Sequence, residues 1–483
     1  MEALAGTLFS PASREAPPDR RGVALDIYLI AIGGTGMAPL ACLLEELGHR
    51  VRGSDGPLYP PMSTMLADAG IVPLVGFDAA HLHPAPDLVV VGNAVPRQNA
   101  EARAAEERSL PIASMPQAVA RFLLADRDPL VVAGTHGKTT TTAMAAWVWE
   151  RAGTDPGYLI GGVPQDLARS FRLGHGSRFI IEGDEYNAAY FDRGPKFLHY
   201  RPRTLILTSV EHDHADLYPD PEALRSAYRR LVALLPADGR LVACGDSPAV
   251  REVASGARCP VTYYGLAAEN DVRAEAGWSS TAEGLLFTVE GTEVRMPVSG
   301  RHNLANALAV WAAARADGLD RRVVAASLGA FHGVRRRMEV RATAGGVTVV
   351  EDFAHHPTAV RETLRALAER FPTRRLLVLF EPRSLTAGRS FFFDAYREAF
   401  RAADRVFLAP IFHAGRLAED ERLDIDRLAA LLCTDGTPTL LAGDLDELAA
   451  TVLAEARPGD VVVTMSSGSF EGMPGRLLAR LAD

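Results

Sequence analysis

The chain has 483 residues, 23% of them charged and 48% hydrophobic, with a formal net charge of −9. That length suits about three domains of ordinary size with substantial cores. An acidic balance with no basic stripe excludes a nucleic-acid backbone as partner and leaves small anionic ligands, held locally, open.

In chain order, residues 1–23 contain no apolar signal-peptide core and are expected to form a flexible tail. Strand-like runs then alternate with helical patterns: 24–32, 87–92, 130–134, 178–184, 204–210, 240–245, 346–352, 374–381, 405–411 and 460–466. Continuous β-branched runs of this kind predict an α/β chain with mostly parallel sheets covered on both faces. Residues 284–300 alternate with period two around Glu290 and Gly291, which predicts a hairpin added to the middle domain. Breaks near Asp128 and His332 divide the chain into expected domains at 24–126, 127–333 and 334–483. Four cysteines, Cys42, Cys244, Cys259 and Cys433, lack C-x-x-C spacing and read as reduced, mostly buried thiols of a cytoplasmic protein. No uncharged apolar run reaches ~18 residues, so no membrane insertion is expected.

The first domain opens with "YLIAIGGTGMAPLACLLEELGHRVRGSD". A strand, then Gly33, Gly34, Thr35 and Gly36, then a helix and a second strand ending at Ser54 and Asp55, approach a dinucleotide fingerprint. Asp55 stands 19 positions after Gly36, where an acidic residue meets a ribose or base, but the first glycine of the fingerprint is replaced by Ala31. A pyrophosphate site and a purely structural turn both fit.

The middle domain carries "VVAGTHGKTTTT". The strict phosphate-loop pattern fails because Val132 occupies its first glycine position. Its physics survives. Gly134 and Gly137 permit a tight turn around Thr135 and His136, and the helix that starts near Thr139 and Thr140 presents free N–H groups to an anion. Lys138 adds a formal charge at the β/γ phosphates, and the Thr139 hydroxyl is placed to reach a metal. The helix is expected to bury a stripe of Ala143, Met144, Trp147 and Val148. A Gly-rich turn with a solvated lysine is the competing reading.

After the next strand, "IIEGDEYN" places Glu182 where ligands of open α/β sheets gather, able to hold Mg²⁺ between phosphate oxygens. "TSVEHDHADLY" packs Glu211, His212, Asp213, His214 and Asp216 into six residues. Taken alone, either is a solvated loop as readily as a site. Asn303, at the start of "RHNLANALAVWAA", reads as a helix cap. Arg335, Arg336 and Arg337 lie at the domain junction, where a guanidinium can clamp a γ-phosphate or form a solvated basic turn. Beyond two strands of the third domain stand Asp352, His355 and His356, and then Arg383.

Together, "GGTGM", "GTHGKTTT", "EGDEYN", "EHDHAD", "RHNLANAL", "RRRME" and "DFAHHPTAV" resemble the Mur ligase family, in order and over nearly the whole chain. The resemblance implies a UDP-sugar domain, an ATPase domain and a third domain that brings the amino substrate. It implies ATP and Mg²⁺ as cofactors. Gly134 to Thr140 would surround the phosphates, with Lys138 at the β/γ positions and Arg337 at the γ-phosphate. Asn303 would meet the adenine and Asp352 the ribose, while Thr139, Glu182 and His214 would serve the metal. Lys138, His214 and Arg337 would be the catalytic set. Gly33, Gly34, Thr35, Gly36, Ser54 and Asp55 would hold the UDP-sugar, and His355, His356 and Arg383 the amino substrate. Many members carry a carbamylated lysine shortly after the "DH" motif; the corresponding "DPEALRSAYRRLVALL" has none.

"IGGTGM", "EHDHAD" and "AHHP" resemble the branch that acts directly on UDP-N-acetylmuramate. In its alanine-adding members a Gln-Pro-His-Arg-Tyr-Thr-Arg stretch contacts the alanine carboxylate. Here the stretch is Glu381, Pro382, Arg383, Ser384, Leu385, Thr386 and Ala387, so that clamp is largely gone. An intact L-alanyl-γ-D-glutamyl-meso-diaminopimelate tripeptide has no free carboxylate on its first residue, and it is the acceptor this departure implies, in peptidoglycan recycling. Free L-alanine is the alternative acceptor, and a catalytically idle UDP-sugar-binding protein the alternative class. The chain is expected to be a monomer or weak oligomer.

Overall fold

The apolar runs become the spines of three mostly parallel sheets in a computed structural model that describes residues 23–275 and 277–482. The expected tail therefore lies, except for Val23, outside the described residues. Strands such as Leu88–Val91, Leu376–Phe380 and Val461–Met465 are buried along their whole length, which is why they show no alternation of polar and apolar residues.

The first sheet has the order Leu74–Val75, Arg50–Asp55, Asp26–Ile30, Leu88–Val91, Ile112–Ser114, all parallel. Strand order reverses beside Asp26–Ile30, so the glycine turn leaving that strand for the helix Met37–Glu46 opens onto the crevice of an open α/β sheet. Ala31 takes a left-handed φ of 63°, a conformation that costs a non-glycine residue about 1 kcal/mol.

The central sheet has eight strands, and only its terminal pair, Gly157–Leu159 with Phe171–Arg172, is antiparallel. Asp128–Ala133 lies between Thr204–Leu207 and Arg178–Gly183. The three polar stretches that follow these strands therefore emerge side by side. The helix Lys138–Arg151 differs from expectation: instead of one apolar stripe it is buried nearly all round, Thr139, Thr141–Ala146, Val148 and Trp149 included. It lies under the helices Arg301–Ala316 and Arg321–Gly329, and the half-buried Trp147 spends its indole N–H on the Ser327 carbonyl at 2.8 Å. The hairpin forms as Gly284–Val289 and Thr292–Met296, turning through Glu290 and Gly291 at φ 47° and 69°, and gains a third strand, Ser279–Thr281.

The third sheet orders Glu339–Ala344, Val347–Asp352, Val461–Met465, Leu376–Phe380, Arg405–Leu408 and Thr439–Leu441. Its exposed first strand is antiparallel and the rest parallel. The four cysteines are free; Cys42 and Cys259 are buried, whereas Cys433 is exposed. Among the described residues, no helix is long and apolar enough to cross a membrane.

Candidate active site

The loop after Asp128–Ala133 demands its glycines. Gly134 and Gly137 have φ of +136° and +77°; a Cβ on the first would sit 2.2 Å from Thr208 Oγ1, and on the second 2.8 Å from Asn306 Oδ1. The loop is pinned to the neighbouring strand end. Thr135 Oγ1 donates to the Glu211 carbonyl and accepts from the Glu211 N–H, both at 2.9 Å, while Ser209 Oγ accepts from the His136 N–H at 2.9 Å. No side chain caps the helix Lys138–Arg151 that follows, so its first N–H groups remain available to an anion.

Lys138 is largely but not fully buried, and its ammonium donates to the Gly134 carbonyl at 2.7 Å and to the two Glu185 oxygens at 3.1 and 3.0 Å. His214 Nε2 stands 2.9 Å from the same Glu185 carboxylate. Burial works against all three charges, but their mutual attraction outweighs it: Lys138 and His214 are held above their ordinary values and Glu185 down to about 2. Glu185 lies inside the "EGDEYN" motif but was not singled out by sequence reasoning. The available signal was three carboxylates, Glu182, Asp184 and Glu185, within four residues of a strand end.

The expected metal trio is split. Thr139 Oγ1 donates to Glu182 Oε1 at 2.9 Å and the Gly161 N–H to Glu182 Oε2 at 3.0 Å, while His214 is turned to Glu185. Burial, with Asp184 nearby, raises the Glu182 carboxyl above its ordinary value. Of the three junction arginines, Arg337 reaches this pair, 3.4 Å from Thr139 Oγ1 with its guanidinium over the Phe353 ring. Arg336 is instead bonded to Glu351 at 2.9 Å.

Asp352 accepts from the Met338 N–H at 2.6 Å and the Ala354 N–H at 2.7 Å, so it fixes the turn that presents Arg337. Asn303 does not cap its helix, because Gly300 holds that position; it lies buried within the first turn and donates to the Ser299 carbonyl at 2.8 Å. His356 caps the helix Pro357–Arg370, accepting from the Thr358 N–H at 3.2 Å. His355 Nδ1 lies 3.1 Å from the Phe353 carbonyl.

One cavity of about 540 Å³ collects most of these groups. Thr35 and Gly36 line it from the first sheet, Thr135–Thr140, Glu182, His214 and Asn303 from the central one, and Asp352, His355 and His356 from the third. Gly33, Gly34, Ser54, Asp55 and Arg383 stand outside its lining. Asp55 accepts from the Gly33 N–H at 2.7 Å, closing the glycine turn. Ser54 corrects expectation: it is fully buried and spends its hydroxyl on Glu101, because it points into the protein beneath the strand end. In the loop after Leu376–Phe380, the Arg383 guanidinium lies over Phe412, 3.8 Å from the ring centre.

Three family descriptions match successive stretches of the chain: Mur ligase family, catalytic domain, over residues 26–127; Mur ligase middle domain over 132–314; and Mur ligase, glutamate ligase domain, over 336–468. The chain belongs to the Mur ligase family. Within it, this ligase is 41% identical to the UDP-N-acetylmuramate–L-alanyl-γ-D-glutamyl-meso-2,6-diaminoheptandioate ligase of Escherichia coli, over 94% of this chain and 98% of that protein. It is 35% identical to the UDP-N-acetylmuramate–L-alanine ligase of Rubrobacter xylanophilus, over 95% of this chain and 100% of that protein. The crystal structure of a murein peptide ligase from Psychrobacter arcticus superposes with a TM-score of 0.71 at 34% identity, covering 95% of this chain and 99% of that one.

Proposed function

We propose that this Mur ligase joins L-alanyl-γ-D-glutamyl-meso-diaminopimelate to UDP-N-acetylmuramate at the expense of ATP, through an acyl phosphate. The observation that carries the reading is the convergence of three elements on one cavity: the first-sheet glycine turn, the phosphate loop with Lys138, and the His355–His356 segment. In this reading residues 24–126 hold the UDP-sugar, 127–333 the nucleotide and 334–483 the amine.

The lactyl carboxylate attacks the γ-phosphorus and ADP leaves; the alanine amine then attacks the acyl carbon, loses a proton and expels phosphate. The first step needs positioning and charge stabilisation more than covalent help. The uncapped N–H groups after Gly137 cradle the phosphates, Lys138 exchanges Glu185 for their β/γ oxygens, and Arg337 clamps the γ-phosphate from the domain junction. The Thr139 hydroxyl and the Glu182 carboxylate are oxygen donors that fit Mg²⁺, a hard ion of oxygen ligands, which when bound would supply charge neutralisation at the phosphates. His214 orients Glu185 in the described geometry and reaches the ion only by leaving it. Asn303 meets the adenine, and Asp352 the ribose by exchanging part of its backbone bonding. Gly33 to Gly36 and Asp55 hold the UDP-sugar through the glycine turn, and His355 and His356 face the acceptor from the cavity wall, with Arg383 further out beside Phe412.

The choice of tripeptide over free alanine rests on residues 381–387. The short Ser384, Leu385, Thr386 and Ala387 offer no cation to an alanine carboxylate, and Arg383 is engaged by Phe412. The test is mass-spectrometric detection of UDP-N-acetylmuramyl-tripeptide after incubation with ATP, Mg²⁺ and both substrates. The product, with ADP in equal amount, is expected; a chain that only held the UDP-sugar would release no ADP.

A further inference from the structure

His136 projects from the phosphate loop, Glu211 from the loop after Thr204–Leu207, and His356 from the start of the helix Pro357–Arg370 on the third sheet. One ligand atom from each lies within 4.8 Å of the others. His136 Nε2 is 3.4 Å from Glu211 Oε2, and His356 Nδ1 is 3.9 Å from the same oxygen. Ligands at about 2.0–2.1 Å around a tetrahedral ion stand roughly 3.3 Å apart, so two of the three separations need only small adjustments.

A second observation points the same way. His136 Nε2 is buried and pairs with Glu211 Oε2 at 3.4 Å without a hydrogen bond of good geometry, so it is incompletely satisfied and aimed into the cluster. The other two ligands are in metal-ready forms. Burial works against the Glu211 charge, but the neighbouring histidines and the Thr358 hydroxyl, 2.6 Å away, hold its carboxyl down to about 2. Burial and His136 push the His356 imidazole down to about 3, leaving it neutral. The Thr358 hydroxyl also fixes the carboxylate, as partners of metal ligands do.

We propose that His136, Glu211 and His356 form a binding site for a borderline divalent cation such as Zn²⁺, which clamps the third sheet onto the phosphate loop. Two imidazoles and one carboxylate suit Zn²⁺ rather than Mg²⁺, which asks for six oxygens. The site is distinct from the Thr139–Glu182 pair and involves neither residue. Its ion takes His356 Nδ1 from the Thr358 N–H and closes the gap between loop and helix, so it holds the protein shut rather than assisting turnover.

The test uses the full-length, nucleotide-free protein titrated with CoCl₂ under excess Mg²⁺, which fills oxygen sites and leaves imidazole sites to Co²⁺. A visible tetrahedral band saturating at one equivalent is expected. His136→Asn and Glu211→Gln, made separately, should each weaken Co²⁺ binding at least about tenfold, whereas Glu182→Gln should leave it intact. In parallel, ZnCl₂ should raise the thermal midpoint of the native protein and not that of Glu211→Gln. No stoichiometric binding, a band that survives both variants, or one lost in Glu182→Gln would each overturn the proposal. Because the readout is binding, it stands or falls apart from the ligase activity.

Discussion

The Lys138 ammonium rests 3.0 Å from the Glu185 carboxylate, inside a cavity to which all three sheets contribute. Without a nucleotide, a largely buried cation of this kind needs a buried anion, and Glu185 supplies it while also holding His214. In the proposed reaction nucleotide phosphates replace one anionic partner with another, so the lysine would never be left uncompensated.

Lys138→Ala removes the charge proposed to meet the β/γ phosphates, so turnover should fall by at least about a hundredfold. Steady-state ADP release measures it. Near-normal turnover would remove the phosphate-loop reading.

Arg337→Lys keeps a charge but loses the planar fork that lies over Phe353 and reaches toward Thr139. The expected result is a kcat loss of roughly tenfold to a hundredfold with little change in stability, and a larger loss for Arg337→Ala. Equal kcat in both variants and the native protein would mean that the guanidinium does not meet the reacting phosphate.

The Lys138–Glu185–His214 cluster sets a pH signature. Glu185 is held from 4.5 down to about 2, so its stabilising contribution is complete above the ordinary carboxylate value and is lost as pH falls toward 2. His214 is held above 6.5, so its contribution is complete below that value and is lost as pH rises through its folded value. Urea unfolding of the nucleotide-free protein should show both limbs. Glu185→Gln should shrink them together, and an unchanged pH profile in that variant would contradict the coupling.

Gly134→Ala places a Cβ at φ +136° against Thr208 and Ser209 and should destabilise by at least about 2 kcal/mol. Gly153→Ala, at φ +73° with open space around it, should cost only about 1 kcal/mol. Comparing thermal midpoints of the two variants separates crowding in the phosphate loop from backbone strain alone.

The strands were legible because they are buried on both faces and so read as unbroken apolar runs; Leu88–Val91 and Val461–Met465 needed no periodicity. Short edge strands such as Leu74–Val75 and Thr439–Leu441 carry too few residues to stand out. In the helix Lys138–Arg151 the expected stripe gave way to burial on all sides, since helices cover the face turned away from the sheet. At the site, the motifs singled out Lys138 and Thr139, which open a helix, Glu182, near the end of a strand, and Arg337, in the turn before Glu339–Ala344. They did not reveal the partners. Nothing in spacing tells that His214 turns to Glu185, that Asp352 is bonded to the Arg337 turn, or that Ser54 points to Glu101. Those pairings depend on how separate elements pack.

The most direct test of the account is phosphate release from ATP with Mg²⁺ and UDP-N-acetylmuramate, comparing L-alanyl-γ-D-glutamyl-meso-diaminopimelate with free L-alanine as acceptor. The residues at 381–387 predict turnover with the tripeptide and none above background with alanine. Turnover with alanine alone would make the chain an alanine-adding ligase and contradict the reading of that segment.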